Sequence, residues 1–166
     1  LLHAFEEGAL GFSAGLEYVH SRLTPYGELR FLLDLAAKKK KMFSLHARKT
    51  GKGIASAVEE AVALAKDTGV RVLLTHLVPL KGLEAEYEAM LQTLDALPEN
   101  VDLHFSVYPF AESIIPAYRL LPEWAQNGSF ETMKANVDDE SMWERIEKDF
   151  SPLDPNLLTV LGAQNA

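Results

Sequence analysis

The sequence contains no cysteine, which excludes disulfide bonds, cysteine-ligated zinc sites and thiol catalysis. Any metal ion must therefore be bound by histidine or carboxylate side chains. Basic residues are also few, since 16 Lys and Arg stand against 24 Asp and Glu and give a net charge of −8. The four lysines at 38–41 form the one basic cluster, which is typical of the solvated end of a helix. The composition therefore argues against nucleic-acid binding.

Long apolar runs are missing as well. No stretch approaches the roughly 20 apolar residues that cross a bilayer, and the given sequence does not open with the basic segment and apolar core that are typical of a signal peptide. Together with a hydrophobic content of 48%, this predicts a globular, soluble and cytoplasmic protein with no membrane partner. Phosphate-binding loops are not indicated, because the glycines at 8–11 and 51–53 lack the spacing and context of such loops.

Apolar residues recur in a β/α rhythm. Strands are predicted at residues 9–12, 42–46, 70–76 and 101–108, about 30 to 33 residues apart, with a possible fifth strand at 157–161. Helices are predicted from Thr24-Pro25 onward, over 54–65 with Gly69 as the stop, over 83–94, and around 130–137 and 141–149. The chain is therefore predicted to have an α/β fold with four to five β/α units and parallel strands. The rhythm fits either a complete doubly wound sheet or about half of a (β/α)8 barrel.

Two histidines stand at equivalent positions of this pattern. His46 and His76 each end a predicted strand, and the two strands follow one another along the chain. Ligands of parallel β/α proteins bind at the carboxyl ends of the strands, and neutral imidazole suits Zn²⁺ and related ions. The spacing therefore predicts a shared metal site, although ordinary rim histidines would give the same pattern. A catalytic zinc ion usually has three protein ligands, so further ligands must come from elsewhere.

Four segments of the chain resemble successive motifs of the N-acyl-D-amino-acid deacylases, a branch of the amidohydrolase superfamily. Their order and spacing both agree with that family, and the resemblance extends over residues 1–162. The segments are Gly8-Ala9-Leu10-Gly11-Phe12-Ser13-Ala14-Gly15-Leu16-Glu17-Tyr18, Ser44-Leu45-His46-Ala47-Arg48, Leu74-Thr75-His76-Leu77 and Val107-Tyr108-Pro109-Phe110.

The resemblance implies a partial (β/α)8 barrel in which residues 1–166 form strands four to seven, truncated at both ends. His46 and His76 would bind Zn²⁺ or another divalent metal, and a metal-activated water would attack the carbonyl of a linear N-acyl amino acid. The general-base Asp of the eighth strand would lie outside this chain, which holds no catalytic residue of its own. Residues 1–166 alone are therefore expected to be inactive. The rest of the barrel, or a second copy, is expected to cover the open strand edges.

The resemblance also implies substrate-binding positions, namely Tyr18, Arg48, Tyr108, Ser113 and Lys81. Two departures from the family pattern stand beside them. Val78 occupies the position where the family commonly has a lysine, and Lys81 would replace it only if the loop folds back. Lys49-Thr50-Gly51-Lys52 replaces a segment that is usually acidic, so specificity for D-amino acids does not follow from the motifs.

Two other functions remain open at this point. A cyclic amidohydrolase of the dihydroorotase or hydantoinase type would keep the barrel, but its bridging carboxylated lysine has no counterpart in residues 9–16. A non-catalytic α/β binding module would make His46 and His76 ordinary rim residues. It would be complete at its present length.

Overall fold

The computed structural model describes residues 1–80, 82–110 and 116–150. The chain divides into two compact units, Leu1–Pro109 and Phe110–Ala166. No helix among the described residues is long and apolar enough to cross a membrane. The predicted fifth strand at 157–161 lies outside the described residues.

The first unit alternates helices and strands along its whole length. Its elements are α1 (Leu2–Glu6), β1 (Gly11–Gly15), α2 (Tyr26–Lys38), β2 (Met42–His46), α3 (Ile54–Thr68), β3 (Arg71–Leu77), α4 (Glu84–Asp95) and β4 (Leu103–Val107). Within the described residues, the four strands form one sheet in the order β1-β2-β3-β4, and all neighbouring pairs are parallel. The predicted α/β fold with four parallel β/α units is confirmed.

Strand order separates the two architectures that the sequence allows. A doubly wound sheet reverses its strand order at a switch point and carries helices on both faces. Here the order is sequential, and α3 contacts both α2 and α4, so the crossover helices share one face of the sheet. Because βαβ crossovers are almost always right-handed, successive crossovers that advance in the same direction place their helices on the same face of the sheet. The first unit is therefore an open part of a (β/α)8 barrel.

The core lies between this sheet and its helices. In β2, Phe43 and Leu45 are buried and alternate with half-buried residues, so one face of the strand packs on the helices. Helix α3 contributes the largest buried stripe, and Gly69 ends it in the left-handed conformation with φ 66°. These are the elements whose apolar spacing was clearest, and their prediction is confirmed.

Several predicted element starts differ from the observed ones by one or two residues, and β4, for example, begins at Leu103 instead of at residue 101. Strand β1 begins at Gly11 because the N–H of Ala9 donates to the carbonyl of Ala4 and closes helix α1. Helix α2 begins at Tyr26, with Pro25 as an extended N-cap at ψ 151°, one residue later than predicted. The carbonyl of Thr24 accepts a hydrogen bond from Arg48, which holds the chain extended before the helix.

The second unit is helical in its described part. It contains short 3₁₀ turns at Ala117–Leu120, Glu123–Gln126 and Glu140–Met142, and two α-helices, α5 (Phe130–Asp138) and α6 (Trp143–Asp149). Ser129 caps α5 through its hydroxyl, which accepts a hydrogen bond from the N–H of Thr132. The two helices predicted in this region are confirmed.

Gly11 is the glycine whose replacement should disturb the sheet most. A methyl group there would lie 2.0 Å from the carbonyl oxygen of Met42, its partner in the parallel pair. Because that atom belongs to the backbone, Gly11→Ala should lower the free energy of unfolding by about 1–3 kcal/mol. Gly27→Ala is the control, since its methyl group meets nothing within 4 Å, and it should be neutral or stabilising by up to about 1 kcal/mol. Chemical denaturation of the full-length protein measures both values. Equal effects of the two variants would contradict the close approach.

Asp102 should make stability depend on pH. The hydrogen bond from Arg71 holds the pKa of Asp102 below its ordinary value of 3.8, and His104 lowers it further. A lowered pKa stabilises the fold above about pH 4, and this contribution is lost as the pH falls through the folded-state pKa. Asp102 is 39% exposed, so solvent screening limits the effect, and Asp102→Asn should cost less than about 1 kcal/mol at pH 7. Denaturation at pH 7 and pH 3 should show the difference shrinking at pH 3, whereas Glu88→Gln on α4 should show none. A difference that grows in acid would contradict this reading.

Candidate metal centre

Strand β2 places His46 on the face of the sheet opposite the helices. Leu45 and Ala47, which flank it, are 1% exposed and belong to the hydrophobic core. Because side chains alternate along a strand, the imidazole of His46 points to the side that would face the interior of a barrel. His46 pairs with Gly15 in the parallel register, and its carbonyl accepts a hydrogen bond from the N–H of Leu16. These contacts fix the backbone of His46 at the carboxyl rim.

His76 reaches the same side by an irregular route. Val72 and Leu74 are buried, so regular alternation would send His76 towards the helices. Instead, His76 has a positive φ of 42°, and the register between β3 and β4 shifts between Leu74 and Leu77. The N–H of His76 donates to the hydroxyl of Ser106 at 2.8 Å. This break in the strand turns the imidazole towards His46.

The two imidazoles meet at the rim. Nδ1 of His46 lies 3.1 Å from Nε2 of His76, and the ring centroids are 4.6 Å apart. Two imidazole nitrogens at this distance can either share a hydrogen bond or bind the same cation. Two nitrogens that each bind zinc at about 2.0–2.1 Å lie roughly 3.0–3.4 Å apart, depending on the angle at the metal. The distance and the chemistry of the donors therefore fit a shared zinc-type ion.

Glu17 contacts the other nitrogen of His46. Its Oε2 lies 2.8 Å from Nε2 of His46, and both side chains are only 12% exposed. Thr50 in turn donates to Glu17 through its hydroxyl, at 2.8 Å from Oε2, and through its backbone N–H, at 3.2 Å from Oε1. Thr50 is itself a buried polar residue, with 9% of its surface exposed. The site thus extends from Thr50 through Glu17 and His46 to His76.

Aromatic side chains cover one face of His46. The ring of Tyr18 stacks on His46 with centroids 5.0 Å apart and planes inclined by 19°. His20 also stacks on Tyr18, with ring centroids 5.9 Å apart. Tyr18 therefore lies beside the imidazole pair, at the position where the resemblance predicts a substrate-binding tyrosine.

Arg48 lies in a different set of contacts. Its guanidinium group forms two hydrogen bonds to Glu60, at 2.9 and 2.8 Å, and also donates to the carbonyls of Arg22 and Thr24. These contacts hold the loop that follows β1 against helix α3. These contacts give Arg48 a part in orienting this loop, whereas the resemblance implies that it binds substrate.

Of the other residues that the resemblance places at the substrate, Tyr108 is described by the structure. Tyr108 directly follows β4, and its N–H donates to the carbonyl of Leu77, so its backbone lies at the same rim as His76. Val78 is half-buried after β3. Lys81 and Ser113 lie outside the described residues. His104 is 68% exposed, lies near the start of β4 and contacts Asp102.

The donor set is incomplete by itself. Among residues 1–80, 82–110 and 116–150, no group of three or more His, Cys, Asp or Glu side chains is arranged to hold a metal ion. Glu17 binds the nitrogen of His46 that faces away from His76, so it adds no third donor at the imidazole pair. His46 and His76 could therefore supply two ligands, and a catalytic zinc ion would need others.

Comparison with known proteins identifies relatives of the chain. The chain is 32% identical over 129 residues to the N-acyl-D-glutamate deacylase of Alcaligenes xylosoxydans xylosoxydans, a match that covers 75% of this chain. This chain is a relative of the N-acyl-D-amino-acid deacylases. The resemblance seen in the motifs is thereby confirmed. The match covers 25% of the deacylase, so the chain spans about a quarter of the length of that relative. No family model matches the chain.

Solved structures of deacylases share the fold. An N-acyl-D-glutamate deacylase from Bordetella bronchiseptica, complexed with zinc and a phosphonate mimic of the tetrahedral intermediate, aligns with a TM-score of 0.65 at 24% identity. That alignment covers 92% of this chain and 35% of the other. A D-aminoacylase aligns with a TM-score of 0.56 at 22% identity over 64% of this chain and 23% of its own. Another D-aminoacylase structure is described as having a binuclear metal centre.

Sequence reasoning missed Glu17 and Thr50 as parts of the site. Glu17 stands in the first motif beside Tyr18, two residues after β1 ends, and a carboxylate at a strand's carboxyl end is itself a signal of a site. Thr50 gave no such signal, because a threonine in a loop is common. Their contacts join residues 33 positions apart in the sequence.

Gly15 allows Tyr18 to approach His46. A methyl group on Gly15 would lie 2.2 Å from Cε2 of Tyr18, so Gly15→Ala should push the tyrosine ring away from the imidazole. Because a side chain can rotate away more cheaply than backbone can move, the loss of stability should be small, below about 1 kcal/mol. Removing the stacked ring should shift the NMR signals of the His46 ring protons, through loss of the ring current.

Tyr18→Phe is the matched control, because it keeps the aromatic ring and removes only the hydroxyl. It should leave the His46 signals close to their original positions. Unchanged His46 signals in Gly15→Ala would show that the glycine is not what admits the tyrosine ring.

Proposed function

We propose that this chain forms part of an enzyme that hydrolyses a linear amide with a divalent metal, by deacylation of an N-acyl amino acid. The observation that supports it most is the 3.1 Å separation of His46 Nδ1 and His76 Nε2 at the carboxyl rim of the sheet. The relationship to the deacylases adds the reaction class. The relative named for N-acyl-D-glutamate supports an N-acylated amino acid as the substrate.

His46 and His76 are proposed to hold Zn²⁺ or another divalent metal from neighbouring rigid strands. Such an ion, when bound, supplies Lewis-acid activation of water and of an amide carbonyl. The two histidines contribute position, since ligands on strands keep their geometry better than ligands on loops. We infer from the order of the motifs that β1–β4 are strands four to seven of the barrel. The proton transfer is then assigned to the Asp of the eighth strand that the resemblance implies.

Substrate contacts are proposed for the tyrosines at the rim. Tyr18 stacks directly on His46, and the backbone of Tyr108 is hydrogen-bonded beside His76, so both can border a substrate held at the metal. Lys81 and Ser113 remain proposals from the resemblance alone. For Arg48, binding of a substrate carboxylate would require release of Glu60, which it holds with two hydrogen bonds.

Removal of either imidazole should abolish tight zinc binding. His46→Ala and His76→Ala in the full-length protein should each lower the zinc content after dialysis and reduce the hydrolysis of N-acetyl-D-glutamate by at least about 100-fold. Zinc is measured by atomic absorption, and hydrolysis by release of the free amino acid. His104→Ala is the matched control, because His104 lies near the amino end of β4 and contacts Asp102. It should retain both zinc and activity.

The substrate panel separates the alternative functions. N-acetyl-D-glutamate, N-acetyl-D-leucine, N-acetyl-L-glutamate, dihydroorotate and hydantoin are compared on the same preparation. Hydrolysis confined to the cyclic substrates would replace the proposal with a cyclic amidohydrolase. Zinc retention by both alanine variants, with no hydrolysis of any substrate, would favour the non-catalytic module instead.

A further inference from the structure

The carboxylate of Glu17 is placed to control the ring of His46. It lies 2.8 Å from Nε2 of His46 and receives the hydroxyl and the backbone N–H of Thr50. The side chains of Glu17 and His46 are each only 12% exposed, so water competes little for this contact. An ionised carboxylate accepts hydrogen bonds and donates none. With an ionised Glu17 as the acceptor, the proton between the two groups sits on Nε2 of His46, and the neutral ring then keeps a lone pair on Nδ1.

That free lone pair faces His76. Nδ1 of His46 lies 3.1 Å from Nε2 of His76, on the opposite side of the imidazole from Glu17. A histidine that binds a metal commonly donates its second N–H to a carboxylate, which sets the tautomer and the ring orientation. Tyr18 limits the remaining freedom of the ring by stacking on one face at 5.0 Å.

We propose that Glu17, held in place by Thr50, is a positioning residue that fixes the tautomer and orientation of His46 for metal binding. This inference rests on the proposed function, because it assigns Glu17 a task only if His46 is a metal ligand. Direct metal ligation by Glu17 is a poorer reading of the same geometry. Its oxygen lies across the ring from Nδ1, so a cation at the imidazole pair would be out of its reach.

The Thr50 contacts explain why Glu17 can act in this way. A glutamate side chain has three rotatable bonds, and it directs its partner well only if it is itself fixed. The hydroxyl of Thr50 lies within 3.0 Å of Oε1 and 2.8 Å of Oε2, and its backbone N–H adds a third contact. Thr50 is 9% exposed, so these bonds form inside the protein. Thr50, in the loop after β2, thus holds Glu17 in place, and Glu17 in turn contacts His46 at the end of β2.

Zinc affinity of the full-length protein tests the proposal. Competition with a chromogenic chelator gives the dissociation constant for Zn²⁺ alone, without reference to activity. Glu17→Gln should raise this constant about 10–100-fold, because the amide can present an N–H to His46 and no longer selects one tautomer. Thr50→Val should raise it less, about 3–10-fold, because the backbone N–H remains. Glu60→Gln is the matched control, since Glu60 is similarly enclosed, at 21% exposed, but contacts Arg48, and it should change the constant less than threefold.

The tautomer is also measurable without any variant. In the metal-free wild-type protein, ¹⁵N chemical shifts of the His46 ring should show the proton on Nε2. Glu17→Gln should give a mixture of the two tautomers. A wild-type ring protonated on Nδ1 would overturn the proposal even if Glu17→Gln failed to fold.

His46→Ala distinguishes a failure of the metal site from a failure of the positioning role of Glu17. If it binds Zn²⁺ as tightly as the wild type, the metal site itself is wrong and the proposed function fails with it. If it loses zinc while Glu17→Gln behaves like Glu60→Gln, the metal site stands and the positioning role of Glu17 is overturned. If both lose affinity and Glu60→Gln does not, the positioning role is supported.

Discussion

The parallel pairing of β1, β2 and β3 is the constraint on which the site depends. Gly15 lies opposite His46 in the register, and the next backbone hydrogen bond runs from Leu16 to the carbonyl of His46. Glu17 therefore emerges beside the end of β2. The buried side chains of Leu45 and Ala47 keep β2 from rotating about its own axis. Parallel pairing thus brings Glu17 and His46, which are 29 residues apart in the sequence, to the same end of the sheet.

His76 shows that regular strand geometry is not sufficient. Its positive φ of 42° is an uncommon conformation for a residue with a side chain, and it coincides with the register shift between β3 and β4. Left-handed backbone persists where the surroundings support it, and here the hydroxyl of Ser106 satisfies the N–H that the strand pairing gives up. The result of this local strain is an imidazole aimed at His46 instead of at the helices.

The sequence predicted the repeating elements better than the contacts between them. Helix α3 and strand β2 followed from apolar spacing and from a stop at Gly69, because both signals are local. The starts of β1 and α2 were missed by one or two residues, since they depend on a bond to Ala4 and on the guanidinium of Arg48. The turn at His76 was not predictable from alternation, which sends its side chain the other way.

The loop between β2 and α3 explains why the residues around the imidazole pair form one unit. Its Arg48 ties the carbonyls of Arg22 and Thr24 to Glu60 of α3, and its Thr50 holds Glu17. The segment after β1 is therefore hydrogen-bonded to the segment after β2 on both sides of Tyr18, at Glu17 before it and at Arg22 and Thr24 after it. This arrangement gives Arg48 a structural task. A substrate carboxylate could recruit Arg48 only by competing with a two-bond partner that is already in place. Under the proposed function, recognition of an acidic substrate is thus more easily supplied by groups that the loop does not use to hold itself together.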